Sequence, residues 1–375
     1  MGHTPPSPGG FLVFCTQTAT STLAPDWNLT GALSEADRSL SELAGLSRNV
    51  PNPHLLIGAF IRKEAVLSSR IEGTQASLSD LFLFEAGEAE PPKPPDVREV
   101  ANYVHALEFG LKRLTELPIS LRLLREIHSR LMGGVRGEHL TPGEFRTSPN
   151  WIGPPGCTLL DATYVPPAPL EMTEALGDLE RYLHAASDLP PLVRLALIHY
   201  QFEAIHPFLD GNGRMGRLLI SLLLCHERLL PQPLLYLSAF FERHRDQYYG
   251  ALWEVSRAGR WHQWIILFLQ AIASQSRDVI HRTGRLLDLR ESYRQRFQQT
   301  RSSTLLLRLV DQLFESPYTS VSLAAKVLGV TRPPAALNIQ RLADSGILTE
   351  VTGRERNKIY VAREILDTIE RSNVG

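Results

Sequence analysis

Apolar residues recur with helical spacing along much of this 375-residue chain, and this periodicity constrains its fold more than any other feature. In a helix, residues i, i+3, i+4, i+7 and i+8 share one face. One stretch fits this template fully: Met215, Leu218, Leu219, Leu222 and Leu223. Another places four apolar residues on one helical stripe: Leu56, Phe60, Leu67 and Ile71. Runs with the alternation of a strand are scarce. The sequence therefore predicts a mainly α-helical protein.

The composition excludes several classes of protein. Hydrophobic residues make up 43% and charged residues 21%, which is the balance of an ordinary folded protein. The formal charge of -1 argues against a polycation that coats nucleic acid. The three cysteines are far apart in the sequence and odd in number, so they indicate neither a disulfide framework nor a Cys-x-x-Cys metal pair. With no signal peptide and no apolar run of the roughly 20 residues that a membrane helix needs, we expect a cytoplasmic protein without membrane contact.

Residues 205–217 combine features that suit phosphate binding. The segment lies between two stretches of apolar helical pattern, so we expect a loop that leads directly into a helix N-terminus. Free backbone N–H groups and the positive end of the helix dipole make such a terminus an anion site. Gly211 and Gly213 would let the backbone approach an anion closely, because they carry no side chain.

Charged side chains in the same segment complete a candidate catalytic site. Arg214 and Arg217 are three residues apart and share a helix face, so they could bind a polyphosphate together. Asp210 is a hard oxygen ligand for Mg²⁺ shared with substrate phosphates, and His206 is the plausible general base. The alternative is a helix N-cap turn with a core histidine and two solvent-exposed arginines. The coincidence of base, metal ligand, anion loop and paired arginines favours the catalytic site.

Residues 206–217 match the signature HPFx(D/E)GN(G/K)RxxR of Fic-domain proteins at every defined position, and the chain resembles that family along nearly its whole length. The resemblance implies a Fic-type helical bundle with a short β-hairpin flap at about 143–166. It also implies transfer of a nucleoside monophosphate, usually AMP from ATP, to a hydroxyl side chain of a protein. ATP is then a co-substrate and Mg²⁺ the cofactor.

The resemblance also implies a role for each motif residue. His206 would deprotonate a target Ser, Thr or Tyr hydroxyl, and Asp210 would hold Mg²⁺ between the α- and β-phosphates. The remaining motif residues would bind the phosphates: Gly211, Asn212, Gly213, Arg214 and Arg217. Gly213 favours AMP transfer, because family members with lysine at that position can act as kinases.

A second motif lies upstream of the first. Ser68 and Glu72 are one helical turn apart, so their side chains point the same way, and Gly73 would end the helix. Residues 68–73 match the family motif (S/T)xxxE(G/N), whose glutamate pairs with the second arginine of the active-site motif, here Arg217. The resemblance thus implies an inhibitory carboxylate in the γ-phosphate position. The alternative is a surface glutamate near a helix end.

Weaker signals surround these motifs. Trp151 and Ile152 lie in the region that resembles the flap, which would bind a target segment by strand addition, although hairpin packing is an equal alternative. Tyr248 and Tyr249 resemble the adenine-side helix of the family, but core packing is the expected role for either tyrosine alone. Four histidines show no ligand spacing and are interpreted as core or surface residues: His128, His199, His226 and His262.

The predicted organisation has four parts. Residues 1–95 form an N-terminal helical region that carries the inhibitory helix at about 53–73, and residues 96–275 form the Fic core. Residues 276–301 form a helical connector. Residues 302–375 have the pattern of a winged helix-turn-helix, with three helices followed by two short strands.

The sequence leaves several functions open. The winged helix could bind DNA, but its nine Lys and Arg against eight Asp and Glu favour protein docking or homodimer formation at least as much. We expect an autoinhibited protein adenylyltransferase that also modifies itself. The alternatives are transfer from another nucleotide, removal of AMP, or a nucleotide-sensing DNA-binding regulator, which the intact His206 disfavours.

Overall fold

The computed structural model describes residues 26–49, 54–86, 96–154, 156–298 and 304–371. Within these ranges the chain is mainly α-helical with one small antiparallel sheet, which confirms the predicted fold class. Residue 53 of the predicted inhibitory helix and the proline cluster at 91–95 lie outside the described residues. No helix in the described ranges is long and apolar enough to cross a membrane.

Eleven helices are described before residue 299. They are α1 (Trp27–Asn49), α2 (His54–Ile71), α3 (Leu78–Glu85), α4 (Asp96–Arg113), α5 (Leu121–Met132), α6 (Pro169–His184), α7 (Pro191–Ile205), α8 (Asn212–His226), α9 (Ser238–Arg243), α10 (Arg245–Ala258) and α11 (Trp261–Gln298). Local sequence signals determine where several of these helices begin. Ser77 and Asp80 form a reciprocal capping box at α3, and α6 and α7 have proline in the first turn.

Helices α7 and α8 lie within the predicted core, residues 96–275, and pack against each other. Both are apolar around most of their circumference and are buried along most of their length. A helix with apolar residues on all sides is stable only inside a protein. The loop that joins them, residues 206–211, is therefore held between two fixed helix ends.

Residues 143–166 are the stretch that the sequence predicts to be the flap, and all of them except residue 155 are described. The hairpin consists of one antiparallel bridge, between Ile152 and Tyr164, and its tip contains a 3₁₀ turn at Leu159–Asp161. Pro149 and Pro154 lie on either side of the bridge in the first arm of the flap. Because proline has no N–H to donate, the pairing cannot extend through these positions.

The C-terminal unit contains α12 (Thr304–Glu315), β1 (Tyr318–Ser320), α13 (Val321–Leu328), α14 (Arg332–Asp344), β2 (Thr349–Glu350), β3 (Ile359–Val361) and α15 (Arg363–Glu370). The sheet is antiparallel with the order β1-β3-β2. The sequence predicted the first three helices and the last two strands of this unit but neither β1 nor α15. A strand of three residues is too short to show alternation.

Helix α2 lies between the predicted core, residues 96–275, and the C-terminal unit. It contacts α4, α8 and α9 of the core, and α12 and α15 of the C-terminal unit. Lys63 on α2 donates from Nζ to the carbonyl of Ile369 at 2.8 Å. Arg282 on α11 donates to the carbonyls of Thr368 and Ile369 at 2.8 and 3.1 Å. Helix α11 runs unbroken through residues 275 and 276, so the predicted connector is its C-terminal part up to Gln298.

Candidate active site

The loop between α7 and α8 is fixed by two residues in the left-handed region. His206 ends α7 with φ 50°, and Gly211 precedes α8 with φ 78°. A Cβ atom on Gly211 would lie 2.7 Å from the Sδ of Met132, so glycine meets both a conformational and a steric requirement there. The chain thus passes from the end of α7 to the start of α8 within six residues.

Asn212 closes this loop on itself. Its Oδ1 accepts from the N–H of Phe208 at 2.9 Å, and its Nδ2 donates to the carbonyl of Phe208 at 2.8 Å. Both polar ends of the amide are therefore used within the loop. The predicted anion site is left to the backbone, because the first turn of a helix has N–H groups without an intrahelical acceptor.

His206 is held through its backbone. Its carbonyl accepts from Nε of Arg146 at 2.9 Å, and its N–H donates to the carbonyl of Phe202 at 3.0 Å. Burial of the imidazole lowers the pKa of His206 to about 4. The ring is thus neutral near pH 7 and able to accept a proton.

Asp210 presents a partly exposed carboxylate beside the first turn of α8. Its side chain is 39% exposed, and its Oδ1 accepts from the N–H of Gly211 at 2.6 Å. The described part of the chain contains no cluster of three or more metal-binding side chains. A cation at Asp210 would therefore complete its shell with phosphate oxygens and water. That donor set fits Mg²⁺, which usually binds one or two carboxylates together with substrate phosphates.

Arg214 is buried and paired. Its side chain is 3% exposed, and its Nη1 donates to Oε2 of Glu99 on α4 at 2.9 Å. Its Nη2 lies 3.9 Å from Oδ1 of Asp210. The guanidinium therefore lies between a buried carboxylate and the predicted metal ligand.

Arg217 is held by the two residues of the upstream motif. Its Nη2 donates to Oε1 of Glu72 at 2.6 Å and to the carbonyl of Ser68 at 2.9 Å, while its Nε donates to Oγ of Ser68 at 2.9 Å. The side chain of Arg217 is 1% exposed and that of Glu72 is 31% exposed. Burial acts to raise the pKa of Glu72, but the charge of Arg217 outweighs it, and the pKa lies below its ordinary value.

The Glu72 carboxylate also reaches the first turn of α8. A Cβ atom on Gly213 would collide with Oε1 of Glu72, so the carboxylate lies directly against this glycine. Gly73 follows with φ 96° and lies just beyond the end of α2 at Ile71, as predicted for the residue that ends this helix. The structure thus brings Ser68, Glu72 and Arg217 together.

Family models match both halves of the Fic region. The model described as the Fic/DOC family N-terminal region matches residues 30–112, and the Fic/DOC family model matches residues 118–224. Together they cover about half of the chain. The chain belongs to the Fic/DOC family. The resemblance inferred from the two motifs is confirmed.

Curated Fic relatives and solved Fic structures are also similar to this chain. A protein named Protein adenylyltransferase Fic from Drosophila erecta is 35% identical over 130 residues, which is 33% of this chain and 24% of that protein. The protein of the same name from Drosophila grimshawi is 32% identical over 158 residues, or 40% of this chain and 29% of that protein. The chain thus spans about a quarter of the length of the curated relatives that it matches. The crystal structure of a Fic family protein from Desulfovibrio desulfuricans G20 superposes on this chain with a TM-score of 0.58, and the two sequences are 18% identical. The superposition covers 91% of this chain and 97% of that chain. The two proteins therefore share a fold.

The four residues with weaker sequence signals in this Fic protein differ in how exposed they are. Tyr248 is 1% exposed and its hydroxyl bonds to Nε2 of His199 at 2.8 Å, so it packs in the core. Tyr249 is 40% exposed over the whole residue, and burial of its hydroxyl, together with the negative charge of Glu72, raises the pKa of this tyrosine to about 12. Of the two tyrosines, Tyr249 is the one that a ligand can reach. Trp151 and Ile152 are 41% and 40% exposed beside the flap bridge.

Sequence reasoning missed several residues that shape this Fic site. The buried guanidinium of Arg146 donates to the carbonyls of Pro167, Ile205 and His206, so it joins the flap to the end of α7. The only sequence signal for a role of Arg146 in the site was its position in the stretch that resembles the flap. Glu99, which pairs with Arg214, had no such signal. His128 was interpreted as a core or surface histidine, yet it bonds to the catalytic loop.

Proposed function

We propose that the chain is a protein adenylyltransferase that transfers AMP from ATP to a Ser, Thr or Tyr hydroxyl of a protein, itself included. One observation carries the proposal. His206 and the partly exposed carboxylate of Asp210 lie in the six-residue loop that leads into α8, and the first two turns of α8 carry two buried arginines, Arg214 and Arg217. The name that the curated relatives share supports AMP as the transferred group.

In the proposed reaction His206 acts as the general base. Its ring accepts the proton of the target hydroxyl, and the hydroxyl oxygen attacks the α-phosphorus of ATP. The bond from that phosphorus to the bridging oxygen breaks, and pyrophosphate leaves with the bonding electrons. Backbone N–H groups at the start of α8 stabilise the negative charge on the α-phosphate oxygens. Mg²⁺, held by Asp210, would neutralise charge on the departing phosphates.

We further propose that Glu72 inhibits this reaction. Arg217 is the arginine expected to reach the γ-phosphate, and here its guanidinium is bound by Glu72 and Ser68. A carboxylate and a phosphate compete for the same donors of one guanidinium. ATP must therefore displace Glu72 before its γ-phosphate can bind Arg217.

The test is to incubate the full chain and Glu72→Gly with Mg²⁺ and, separately, labelled ATP, GTP, UTP or CTP. Intact mass spectrometry then shows which nucleotide adds its monophosphate. We expect an AMP adduct that is strongest for Glu72→Gly and absent when His206→Ala is added. Labelling by another nucleotide in preference to ATP would show that ATP is not the nucleotide donor. A His206→Ala variant that still labels itself would contradict the mechanism.

A further inference from the structure

His128 connects α5, the flap and the catalytic loop. The residue is 2% exposed. Its Nδ1 accepts from the backbone N–H of Gly143 at 2.9 Å, and its Nε2 lies 2.9 Å from the carbonyl oxygen of Asp210. A backbone N–H can only donate, so Nδ1 is unprotonated and Nε2 carries the proton that it donates to Asp210. The two bonds therefore fix both the tautomer and the orientation of the ring.

Packing holds the ring in this orientation. His128 stacks on Phe208 with the ring centroids 3.6 Å apart and the planes within 2° of each other. Phe208 is fully buried, and its backbone is bonded on both sides by Asn212. The imidazole can thus transmit the position of α5 and of the flap base to the catalytic loop.

The bond to Asp210 acts on its carboxylate through one peptide group. The carbonyl of Asp210 and the N–H of Gly211 belong to the same rigid peptide plane. That N–H donates to Oδ1 of Asp210 at 2.6 Å. By fixing the carbonyl end of the plane, His128 fixes the N–H end, which in turn orients the carboxylate.

We propose that His128 is a positioning residue for Asp210. It orients the peptide group between Asp210 and Gly211, which in turn orients the Asp210 carboxylate, and it links this peptide group to Gly143 at the base of the flap. The proposal rests on the proposed function, in which Asp210 binds the cation of the nucleotide. Removal of a residue that orients a metal ligand typically weakens metal binding about 10–100-fold. A residue that serves only to fill the core would instead lower stability and leave cation affinity unchanged.

Two substitutions separate the two bonds. In His128→Asn the amide oxygen takes the place of Nδ1 and can accept from Gly143, but the side chain is too short to reach Asp210. In His128→Gln the amide nitrogen takes the place of Nε2 and can donate to Asp210, but the bond from Gly143 is lost. Ile127→Ala is the matched control, because Ile127 is fully buried on the same helix and its truncation destabilises the core without removing a hydrogen bond to the loop.

The experiment measures Mn²⁺ affinity by electron paramagnetic resonance with α,β-methylene ATP, in full-length Glu72→Gly as the parent. We expect His128→Asn to weaken Mn²⁺ binding about 10-fold or more, with His128→Gln and Ile127→Ala close to the parent. Hydrogen exchange, which needs no ligand, should show faster exchange at Gly143 in His128→Gln than in His128→Asn. Melting temperatures are recorded for every variant.

The possible results separate this proposal from the proposed function. If the parent binds Mn²⁺ with the analogue and His128→Asn binds it equally well, the positioning role is wrong. The same conclusion follows if Mn²⁺ affinity simply tracks melting temperature across all three variants. If the parent itself binds no Mn²⁺ with the analogue, the proposed function fails and the positioning role fails with it.

Discussion

Replacement of Glu72 by glycine should strongly increase self-labelling. The change removes the carboxylate that binds Arg217 and lies against Gly213, and it leaves His206 and Asp210 untouched. Arg217 keeps its bonds from Nε to Oγ of Ser68 and from Nη2 to the carbonyl of Ser68, both 2.9 Å long. The arginine therefore stays in place and becomes available to the γ-phosphate.

The size of the effect follows from the burial of the pair. Breaking a fully buried ion pair costs about 3–5 kcal/mol, whereas an exposed pair contributes about 0–1 kcal/mol. Arg217 is 1% exposed but Glu72 is 31% exposed, which places this pair between the two cases. If ATP must displace a Glu72–Arg217 interaction of about 2–3 kcal/mol, its removal should increase the rate of AMP incorporation by about 30–150-fold at limiting ATP. The increase should shrink as ATP is raised, because the nucleotide then displaces Glu72 by mass action.

The assay is the initial rate of AMP incorporation across a range of Mg-ATP concentrations. Glu35→Gln is the control, because Glu35 pairs with Arg277 at the surface, where both side chains are about half exposed. Arg217→Ala should not imitate the activation, since it removes the phosphate-binding group together with the partner of Glu72. Equal rates for the wild-type protein and a folded Glu72→Gly at every ATP concentration would refute the reasoning.

Other properties of the site give further predictions. His206→Ala should reduce transfer by about 10²–10⁴-fold or more, with ATP affinity by calorimetry nearly unchanged. Because burial lowers the pKa of His206 to about 4, labelling by Glu72→Gly should stay level from neutral pH downward and fall only as that value is approached; a decline centred on the ordinary histidine pKa would contradict this. Burial raises the pKa of Glu203 from 4.5 to about 7, so the native protein retains a proton that the unfolded chain releases, and stability falls as pH rises between these values. Glu203→Gln should therefore raise the free energy of unfolding above pH 7 by up to about 3 kcal/mol, and denaturant titration should show no gain below pH 4. For the C-terminal unit we expect no sequence-specific duplex binding; a salt-sensitive gel shift that Arg332→Ala and Arg341→Ala abolish would contradict that expectation.

The parts of the fold that sequence analysis predicts are those encoded locally. The apolar stripe of α8 and the loop before it can be recognised within about twenty consecutive residues. Ser68 and Glu72 are likewise one turn apart on one helix, so their shared direction follows from helical geometry alone. Their pairing with Arg217 came from the family motif rather than from spacing, because the partners are 149 and 145 residues apart.

The missed residues act across long distances in the chain. His128 bonds to a carbonyl 82 residues away, Arg146 to one 60 residues away, and Glu99 to an arginine 115 residues away. In two of these bonds the partner is a backbone carbonyl, which every residue carries and which leaves no trace in the sequence. A single buried histidine or arginine also looks the same in a sequence whether it fills the core or orients a catalytic loop.

Gly213 on the first turn of α8 links the predicted anion site to the proposed inhibition. Sequence analysis assigned Gly213 to the close approach of a phosphate, and in the structure an anion does lie against it, namely the carboxylate of Glu72. The positive N-terminal end of a helix favours any negative charge, whether phosphate or carboxylate. The feature that would bind ATP would therefore also stabilise the proposed inhibitory carboxylate, so we expect activation to need the displacement of Glu72 rather than the assembly of a new site.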